Sequence, residues 1–267
     1  MKLRPIAGVV VRQFYLMRGS PVRILPMFAW VAIDIVLWGF ITRYLSSVTG
    51  NRINFVASLL GAVLLWDLFT RIMQGVTMAF LEDIWSRNLL NFFATPLAIS
   101  EYVVGLVATS IVTSLLGLAV MLVLATTLFG LSFLSLGLAL APFLLVLFLF
   151  GIALGIFASA MVLRLGPASE WMIWPLPALL SPFVGVFYPL STLPAWMRVV
   201  ARALPPSYVF EDMRAIVTGH AFALEPLLGG LALAVLQIVL CAGFFVHVYR
   251  YAVRSGLLAR YSAESVS

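Results

Sequence analysis

Charged residues are scarce in this chain, and their scarcity excludes a water-soluble protein. Only 10% of the 267 residues are Asp, Glu, Lys or Arg, whereas 63% are hydrophobic. A soluble domain needs about a quarter of its residues charged to cover its surface. A chain this apolar would expose large hydrophobic patches in water, so a lipid bilayer is its expected solvent.

Cysteine, histidine and the common catalytic motifs are also rare or missing. Cys241 is the single cysteine, so it has no disulfide partner within the chain. His220 and His247 are the only histidines, and neither has metal-ligand spacing with cysteine or carboxylate residues. The sequence contains no Gly-x-Ser-x-Gly nucleophile elbow and no Gly-x-x-x-x-Gly-Lys-Ser/Thr phosphate loop. Catalysis and phosphate-loop binding of ATP therefore find no support in these residues.

Long apolar runs are what the chain has in abundance. A helix needs about 20 apolar residues to cross a bilayer. Six runs meet this requirement, at roughly 24–45, 55–80, 101–128, 135–163, 170–189 and 226–249. The sequence therefore predicts an all-α integral membrane protein of six transmembrane helices, forming one domain over 1–267. Its expected parts are an interfacial helix (1–21), a six-span bundle (22–250) and a cytoplasmic tail (251–267).

The basic residues set the expected orientation. The net charge of +6 does not indicate nucleic-acid binding, because the basic residues lie beside membrane segments and form no basic-aromatic groove pattern. With the N-terminus inside, ten of them fall on the cytoplasmic side and five on the outer side. We therefore expect both termini in the cytoplasm. The inner residues are Lys2, Arg4, Arg12, Arg18, Arg23, Arg87, Arg164, Arg250, Arg254 and Arg260, and the outer ones Arg43, Arg52, Arg198, Arg202 and Arg214.

Three segments outside the spans have amphipathic character. Pro5–Met17 carries apolar residues at helical spacing, which favours an interfacial helix, or else the start of the first span. Residues 81–97, after the second span, predict a short amphipathic cytoplasmic helix that ends at Pro96. In the proline-rich segment 190–225, Ala195–Leu204 and Tyr208–Thr218 predict two outer re-entrant half-helices before the sixth span.

The order of these parts resembles the permease subunit of a type-2 ATP-binding-cassette (ABC) exporter. Three stretches carry the resemblance: an acidic start, paired leucines and Thr-Pro-Leu over 82–97, the two proline motifs of 187–196, and Pro-x-x-Tyr followed by Glu-x-x-Arg over 205–214. Many such permeases have a glycine where this chain has Ser86-Arg87-Asn88, which leaves the substrate subtype undefined.

The resemblance implies a transport subunit that is not an enzyme and binds no cofactor itself. A separate ATPase subunit would bind ATP and Mg²⁺, and two permease copies would pair in the cytoplasmic (inner) membrane to export a cargo. The apolar spans favour a hydrophobic or amphipathic cargo. The cytoplasmic helix after the second span would contact the ATPase. The expected coupling residues are Glu82, Asp83, Trp85, Arg87, Leu89, Leu90, Phe92 and Phe93.

Charged residues within the predicted spans form a second candidate site. Asp34 lies in the first span, and Asp67 and Arg71 lie one helical turn apart in the second. Charges at bilayer depth are unfavourable unless they are paired. Asp34 and Arg71 fall at similar depth, so we expect the three to form one buried cluster. A packing role and a role in gating or substrate contact both remain open.

The fifth and fourth spans have sequence features of their own. Three prolines, at 175, 177 and 182, should kink or loosen the fifth span. Phe183, Phe187 and Tyr188 would then line a substrate path, or else contact lipid and core. In the fourth span, Gly151, Gly155 and Ser159 form a small-residue stripe that favours close intramolecular helix packing over dimerisation.

Two other functions remain as alternatives. A membrane-embedded enzyme acting on lipid-linked substrates would use Glu211, Asp212 and Arg214 as its polar site. A self-contained secondary transporter would use the Asp34, Asp67 and Arg71 cluster for ion coupling, and inverted internal repeats would favour it. ATP-dependent activity that requires a second polypeptide separates the permease from both.

Overall fold

The fold is a bundle of helices. The computed structural model describes residues 3–19, 21–49, 55–86, 88–93, 95–130, 140–220 and 223–257; within them, the side chains of 21–28, 31, 49, 55–58, 89, 90, 93 and 167 are not described. All regular structure in these ranges is helical. The α-helices are α1 (Leu3–Arg18), α2 (Pro21–Thr49), α3 (Phe55–Trp85), α4 (Asn88–Phe93), α5 (Ile99–Phe129), α6 (Leu140–Leu165), α7 (Glu170–Ile173), α8 (Leu176–Val184), α9 (Ala195–Arg202), α10 (Pro205–Val217) and α11 (Leu224–Arg254).

Several helices are long enough to cross a bilayer. Within the described residues, four are also apolar enough, namely Leu59–Trp85, Ile99–Phe129, Leu140–Leu165 and Leu224–Arg254. Helix α2 has 29 residues and rises about 43 Å, which exceeds the hydrocarbon thickness of a bilayer. The all-helical architecture and its membrane-spanning helices agree with the class that the composition predicts.

The predicted fifth span, 170–189, is not one continuous helix. Its place is taken by the four-residue α7 and the nine-residue α8, which are interrupted at Trp174 and Pro175. Proline lacks the amide hydrogen that a continuing helix needs, so α7 ends and α8 begins there. Gly185, in the left-handed conformation at φ 68°, ends α8. At about 13 Å, α8 alone is too short to cross a bilayer.

Helix α3 forms the centre of the bundle and packs against α2, α5 and α6. Close approach to α6 depends on two glycines, as the small-residue stripe predicts. A Cβ atom added to Gly151 would lie 2.9 Å from the Cβ of Ile72, and one added to Gly155 would lie 2.8 Å from the Cβ of Val76. The stripe therefore serves packing within the chain.

Two apolar clusters mark the two ends of the bundle. One lies where α3 ends and α5 begins, and includes Leu81, Ile84, Tyr102 and Leu163; we call this the Trp85 end. The other lies where α6 begins and α10 packs on α6 and α11; we call it the Leu140 end. Ile173 of α7 belongs to the first cluster and Val184 of α8 to the second, so this broken segment runs from one end to the other.

Several helices lie outside the long spans. Helix α1 is separate from α2 and packs on α5, where a Cβ atom added to Gly105 would lie 2.6 Å from the Cβ of Val9. The other face of α1 exposes Phe14 and Tyr15. At the Leu140 end, α9 and α10 are helical over most of the two segments predicted as half-helices, and their re-entrant position in the membrane stays a prediction.

Candidate functional site

The residues predicted to couple to an ATPase lie at the Trp85 end but do not form one helix. Glu82, Asp83 and Trp85 belong to the last turn of α3, which continues to Trp85 instead of ending before Leu81. The short helix after it, α4, contains Leu89, Leu90, Phe92 and Phe93. Arg87 lies outside the described residues, as do the side chains of Leu89, Leu90 and Phe93.

A buried ion pair joins this region to α1. An Arg12 Nη2 atom on α1 lies 2.6 Å from Oδ1 of Asp83, whose side chain is fully buried. The Tyr102 hydroxyl at the start of α5 donates a hydrogen bond of 2.6 Å to the other Asp83 oxygen. The Arg12 guanidinium also lies 4.7 Å from the centre of the Phe92 ring on α4. Helices α1, α3 and α5 therefore meet at the Asp83 carboxylate, and α4 joins them through the contact of Phe92 with Arg12.

This placement separates the predicted coupling residues into two groups. Asp83 is 0% exposed and faces the protein interior, which differs from the expectation that it would face a partner. Phe92 is half-buried and packs on Tyr102, with ring centres 5.5 Å apart. Trp85 is 47% exposed. Within the described part of this region, Trp85 is thus the large apolar side chain that is available for contact.

The structure brings Asp34, Asp67 and Arg71 together. Nε of Arg71 lies 2.6 Å from Oδ2 of Asp67 one turn earlier on α3. Asp34 of α2 lines the same space as both of these side chains. The cluster that we expect from the sequence therefore has its three members around one space.

That space is a cavity of about 590 Å³ between α1, α2, α3 and α5. It extends along α3 from Asp67 to Glu82, a rise of about 22 Å. Trp30 and Trp174 lie on its lining and are both largely exposed. Among the described residues, the lining is Gln13, Met17, Trp30, Asp34, Asp67, Thr70, Arg71, Gln74, Gly75, Met78, Ala79, Glu82, Thr109, Ser110, Thr113, Ser114 and Trp174.

The aromatic residues predicted to line a substrate path lie elsewhere. Phe187 stacks on Trp38 of α2, with ring centres 5.2 Å apart and planes at 14°. Phe183 packs edge-on against Trp196 of α9. The Tyr188 hydroxyl donates a hydrogen bond to the Pro182 carbonyl. None of the three lines the 590 Å³ cavity.

Potential metal-ligating side chains do not cluster in the part of the chain that the structure describes. Among them, no group of three His, Cys, Asp or Glu side chains is placed to hold a metal ion.

Comparison with known families decides the class of the protein. The family model described as ABC-2 type transporter matches residues 8–218. The chain belongs to the ABC-2 type transporter family. The match begins within α1 and includes both α4 and α10. No curated protein matches the chain. Membership of the family makes the chain a membrane transport permease and implies an ABC ATPase partner.

Glu211 and Arg214, which the alternative enzyme hypothesis would use as a polar site, hold backbone at the Leu140 end of the permease. Glu211 accepts hydrogen bonds of 2.7 Å from the Leu190 amide and from Arg214 Nη2. Nη1 of Arg214 donates to the Gly185 carbonyl at 2.7 Å. This ion pair therefore fixes the chain between α8 and α9 on α10, and both side chains are engaged in holding backbone.

Asp212 is the unusual carboxyl group of that segment. It is 6% exposed, and its Oδ2 atom has no hydrogen-bond partner among the described residues. Burial and the neighbouring Glu211 carboxylate raise the pKa of Asp212 from 3.8 to about 6. Because the folded state favours the protonated form, the stability that this group contributes is complete below about pH 3.8 and is lost as the pH rises through about 6.

We therefore expect Asp212→Asn to stabilise the permease in a pH-dependent way. The amide resembles the neutral carboxyl group, so the unfolding temperature should rise at pH 7.5 and change much less at pH 4, close to the pKa of 3.8 of an ordinary aspartate. Unfolding in detergent, followed by tryptophan fluorescence, measures both values. Glu225→Gln, at an exposed carboxylate, controls for the loss of one negative charge. An equal effect of Asp212→Asn at the two pH values would contradict the raised pKa.

Proposed function

We propose that this chain is the permease subunit of an ATP-driven exporter in the cytoplasmic (inner) membrane. Two copies would assemble with two separate ATPase subunits, which bind ATP and Mg²⁺, and would form the path for a hydrophobic or amphipathic cargo. The family match over residues 8–218 carries the proposal. The lack of a phosphate loop in these 267 residues supports a separate source of ATP hydrolysis.

The distribution of basic residues supports cytoplasmic termini. Arg12, Arg164, Arg250 and Arg254 belong to the Trp85 end of the bundle. The guanidinium of Arg164 lies 3.9 Å from the centre of the Tyr251 ring, which ties α6 to α11 there. Cytoplasmic loops carry an excess of Lys and Arg. This rule supports a cytoplasmic Trp85 end, which is the side on which the proposed ATPase would bind.

The ion pair at Asp83 supplies a physical route for coupling. An ATPase that moves α4 would move the Phe92 ring, which lies against the Arg12 guanidinium. Arg12 is held by Asp83, and Asp83 is held by Tyr102. A buried ion pair resists separation because each unpaired charge would be unfavourable in the interior. Helices α1, α3 and α5 would therefore follow α4 as one unit.

The broken segment α7–α8 is the element best suited to change the path. It contains two short helices in place of a rigid span, and Gly185 and the Trp174–Pro175 break are natural hinges. The stack of Phe187 on Trp38 joins this segment to α2. Separation of the two rings would open a gap between α2 and α8, so Phe183, Phe187 and Tyr188 remain our candidates for its lining.

Loss of Trp85, an exposed tryptophan among the expected coupling residues, should weaken ATPase binding. Buried aromatic anchors carry much of the energy of protein interfaces, and removal of a tryptophan from such a position costs about 2 kcal/mol or more. We expect Trp85→Ala to reduce the amount of ATPase that co-purifies with the tagged permease in mild detergent by at least about tenfold. Affinity purification from membranes, with quantification of both subunits, measures this ratio.

Trp196→Ala is the matched control. Trp196 is 62% exposed and lies on α9, at the opposite end of the bundle. It should leave the ATPase-to-permease ratio unchanged. Equal recovery of the ATPase with the wild type and with Trp85→Ala would place the contact elsewhere on the permease.

A further inference from the structure

A hydrogen bond fixes how far the helix pair α9–α10 extends along α11. The Gln237 side chain donates a 2.8 Å hydrogen bond to the carbonyl of Ala203, the residue directly after α9. Gln237 lies about 18 Å along α11 from Glu225 and about 20 Å from Arg250, the charged residues that bracket its apolar stretch. Because the hydrocarbon core of a bilayer is about 30 Å thick, the turn between α9 and α10 is expected near its middle.

Contacts of α10 agree with this depth. A Cβ atom added to Gly230 of α11 would lie 3.1 Å from the Cβ of Tyr208, so α10 passes back along α11 towards the N-terminus of that helix. Glu211, about one turn further along α10, accepts a hydrogen bond from the amide of Leu190, which precedes α9. Helix α9 therefore descends into the bundle from the Leu140 end, and α10 returns to it.

Two arginines lie on the descending helix. Arg198 and Arg202 are one turn apart, so they share a face of α9, and both side chains are exposed. Neither forms an ion pair with any of the nine acidic side chains that the structure describes. Glu264, the remaining acidic residue, lies outside the described residues, in the predicted cytoplasmic tail. Because charged side chains at such depth generally face protein or water and pair with a counter-charge, a ligand is the expected source of one here.

The adjoining face of α9 is apolar and lies beside the candidate substrate path. Trp196, Val199 and Val200 of this helix are exposed. The Trp196 ring packs edge-on against Phe183 of α8, with ring centres 6.0 Å apart. Phe183 is one of the residues that we propose as lining of the path. A molecule in this path would therefore meet a cationic face and an apolar face on a single helix.

The guanidinium groups select the polar group of such a molecule. Arginine binds phosphate through two parallel N–H···O hydrogen bonds, and it offers no acceptor to a cation. A phosphate monoester carries a charge of about −1.5 to −2 at pH 7, which two guanidinium groups can balance. A quaternary ammonium group would be repelled by both, and a neutral hydroxyl group would leave both charges unbalanced.

We propose that Arg198 and Arg202 bind the phosphate group of an amphipathic anion whose apolar body contacts Trp196 and Val199. The inference rests on the proposed permease function and names the class of its cargo, an apolar molecule with a phosphate head. The site lies in the half of the bundle nearer the Leu140 end, so the cargo meets it on the outer side of the path.

Two photoreactive lipids with the same acyl chains test the proposal in the wild type. The purified chain, in nanodiscs of phosphatidylcholine, is irradiated with phosphatidic acid or with diacylglycerol that carries a diazirine on one acyl chain. Mass spectrometry of the digested chain locates the label. We expect phosphatidic acid to label the peptide that contains α9 at least about tenfold more than diacylglycerol does. Unlabelled phosphatidic acid should compete, whereas inorganic phosphate at the same concentration should not.

Paired substitutions assign this labelling to the two arginines. Arg198→Gln combined with Arg202→Gln should lower the labelling by phosphatidic acid about tenfold. Arg250→Gln combined with Arg254→Gln is the matched control, because it removes two exposed arginines with the same spacing from α11 at the Trp85 end. The control pair should leave the labelling of α9 unchanged.

Three results would overturn the proposal. Equal labelling of α9 by the two lipids would mean that only its apolar face contacts lipid. Displacement by inorganic phosphate at the same concentration would mean that the site recognises phosphate without an apolar body. Equal labelling of the wild type and the Arg198→Gln, Arg202→Gln variant would mean that the arginines do not bind the lipid. The comparison of the two lipids uses the wild type, so it holds even if a variant misfolds. The assay contains no ATPase, so its failure is distinct from a failure to capture the ATPase partner.

Discussion

Asp83→Ala should lower the free energy of unfolding of the permease by about 3–5 kcal/mol, the usual loss when one partner of a buried ion pair is removed. Asp83 is fully buried and binds both Arg12 and the Tyr102 hydroxyl. Its removal leaves a partly buried guanidinium and a buried hydroxyl group without their acceptor. Because α1, α3, α4 and α5 meet there, the same change should also impair coupling to the ATPase.

A double-mutant cycle measures this interaction directly. Arg12→Met should destabilise the permease because it leaves the Asp83 carboxylate buried and unpaired, whereas the double variant removes both charges. We therefore expect the double variant to lose less stability than the sum of the single variants, by at least about 1 kcal/mol. Arg4→Met, at an exposed arginine of the same helix, is the control. Additive losses would show that the two side chains do not stabilise each other.

The second large effect is expected at Gly155 on α6. A Cβ atom there would lie 2.8 Å from the Cβ of Val76 and 3.0 Å from the Met73 carbonyl oxygen, so even a small side chain forces α3 and α6 apart. Overpacking costs about 1–3 kcal/mol and occasionally more. Since the obstacle includes backbone of a central helix, we expect Gly155→Leu to reach at least about 3 kcal/mol.

A glycine on another helix provides the matched comparison. Gly243 on α11 has no atom within 4 Å of an added Cβ atom, so Gly243→Leu should fold as the wild type does. The unfolding temperature and the yield of monodisperse protein in detergent measure both variants. Wild-type values for Gly155→Leu would mean that the α3–α6 packing described above is wrong.

Much of the helical architecture can be predicted from the sequence because a bilayer requires long apolar helices. Apolar runs of about 20 residues predict spanning helices whatever they pack against. The helical stretches of α9 and α10 were predictable because prolines mark their starts: Pro194 directly precedes α9, and Pro205 is the first residue of α10. The break at Trp174 and Pro175 was predictable only as a weak point, because prolines alone do not distinguish a kinked span from two short helices.

The placement of the coupling residues was predicted only in part. Residues 82–85 lie in the predicted region, but α3 continues through them and turns Asp83 inward. The sequence contains a signal for this. Asp83 follows Phe80 by three residues and Val76 by seven, and both are buried on the same face of α3. The partners Arg12 and Tyr102 are distant in the chain, so neither pairing can be derived from local spacing.

The residues that line the cavity were likewise only partly predictable from the sequence. Helical spacing predicts the pairing of Asp67 with Arg71 one turn later, which the structure shows at 2.6 Å, and Asp34 lines the same cavity. The contribution of Gln13 from α1 depends on how that helix packs on α5 at Gly105. Helical spacing within one segment cannot predict such packing between segments. The cavity therefore became evident only in the structure.

Capture of an ATPase by the wild-type chain tests the central claim most directly. The tagged permease is purified from its native membranes in a mild detergent, and the co-purifying subunits are identified and assayed for ATP hydrolysis. We predict recovery of a subunit that contains a Gly-x-x-x-x-Gly-Lys-Ser/Thr loop, in about equal amount to the permease, with Mg²⁺-dependent ATP hydrolysis. Recovery of the permease without any ATPase, in a detergent that preserves other membrane complexes, would contradict its function as the permease of an ATP-driven exporter.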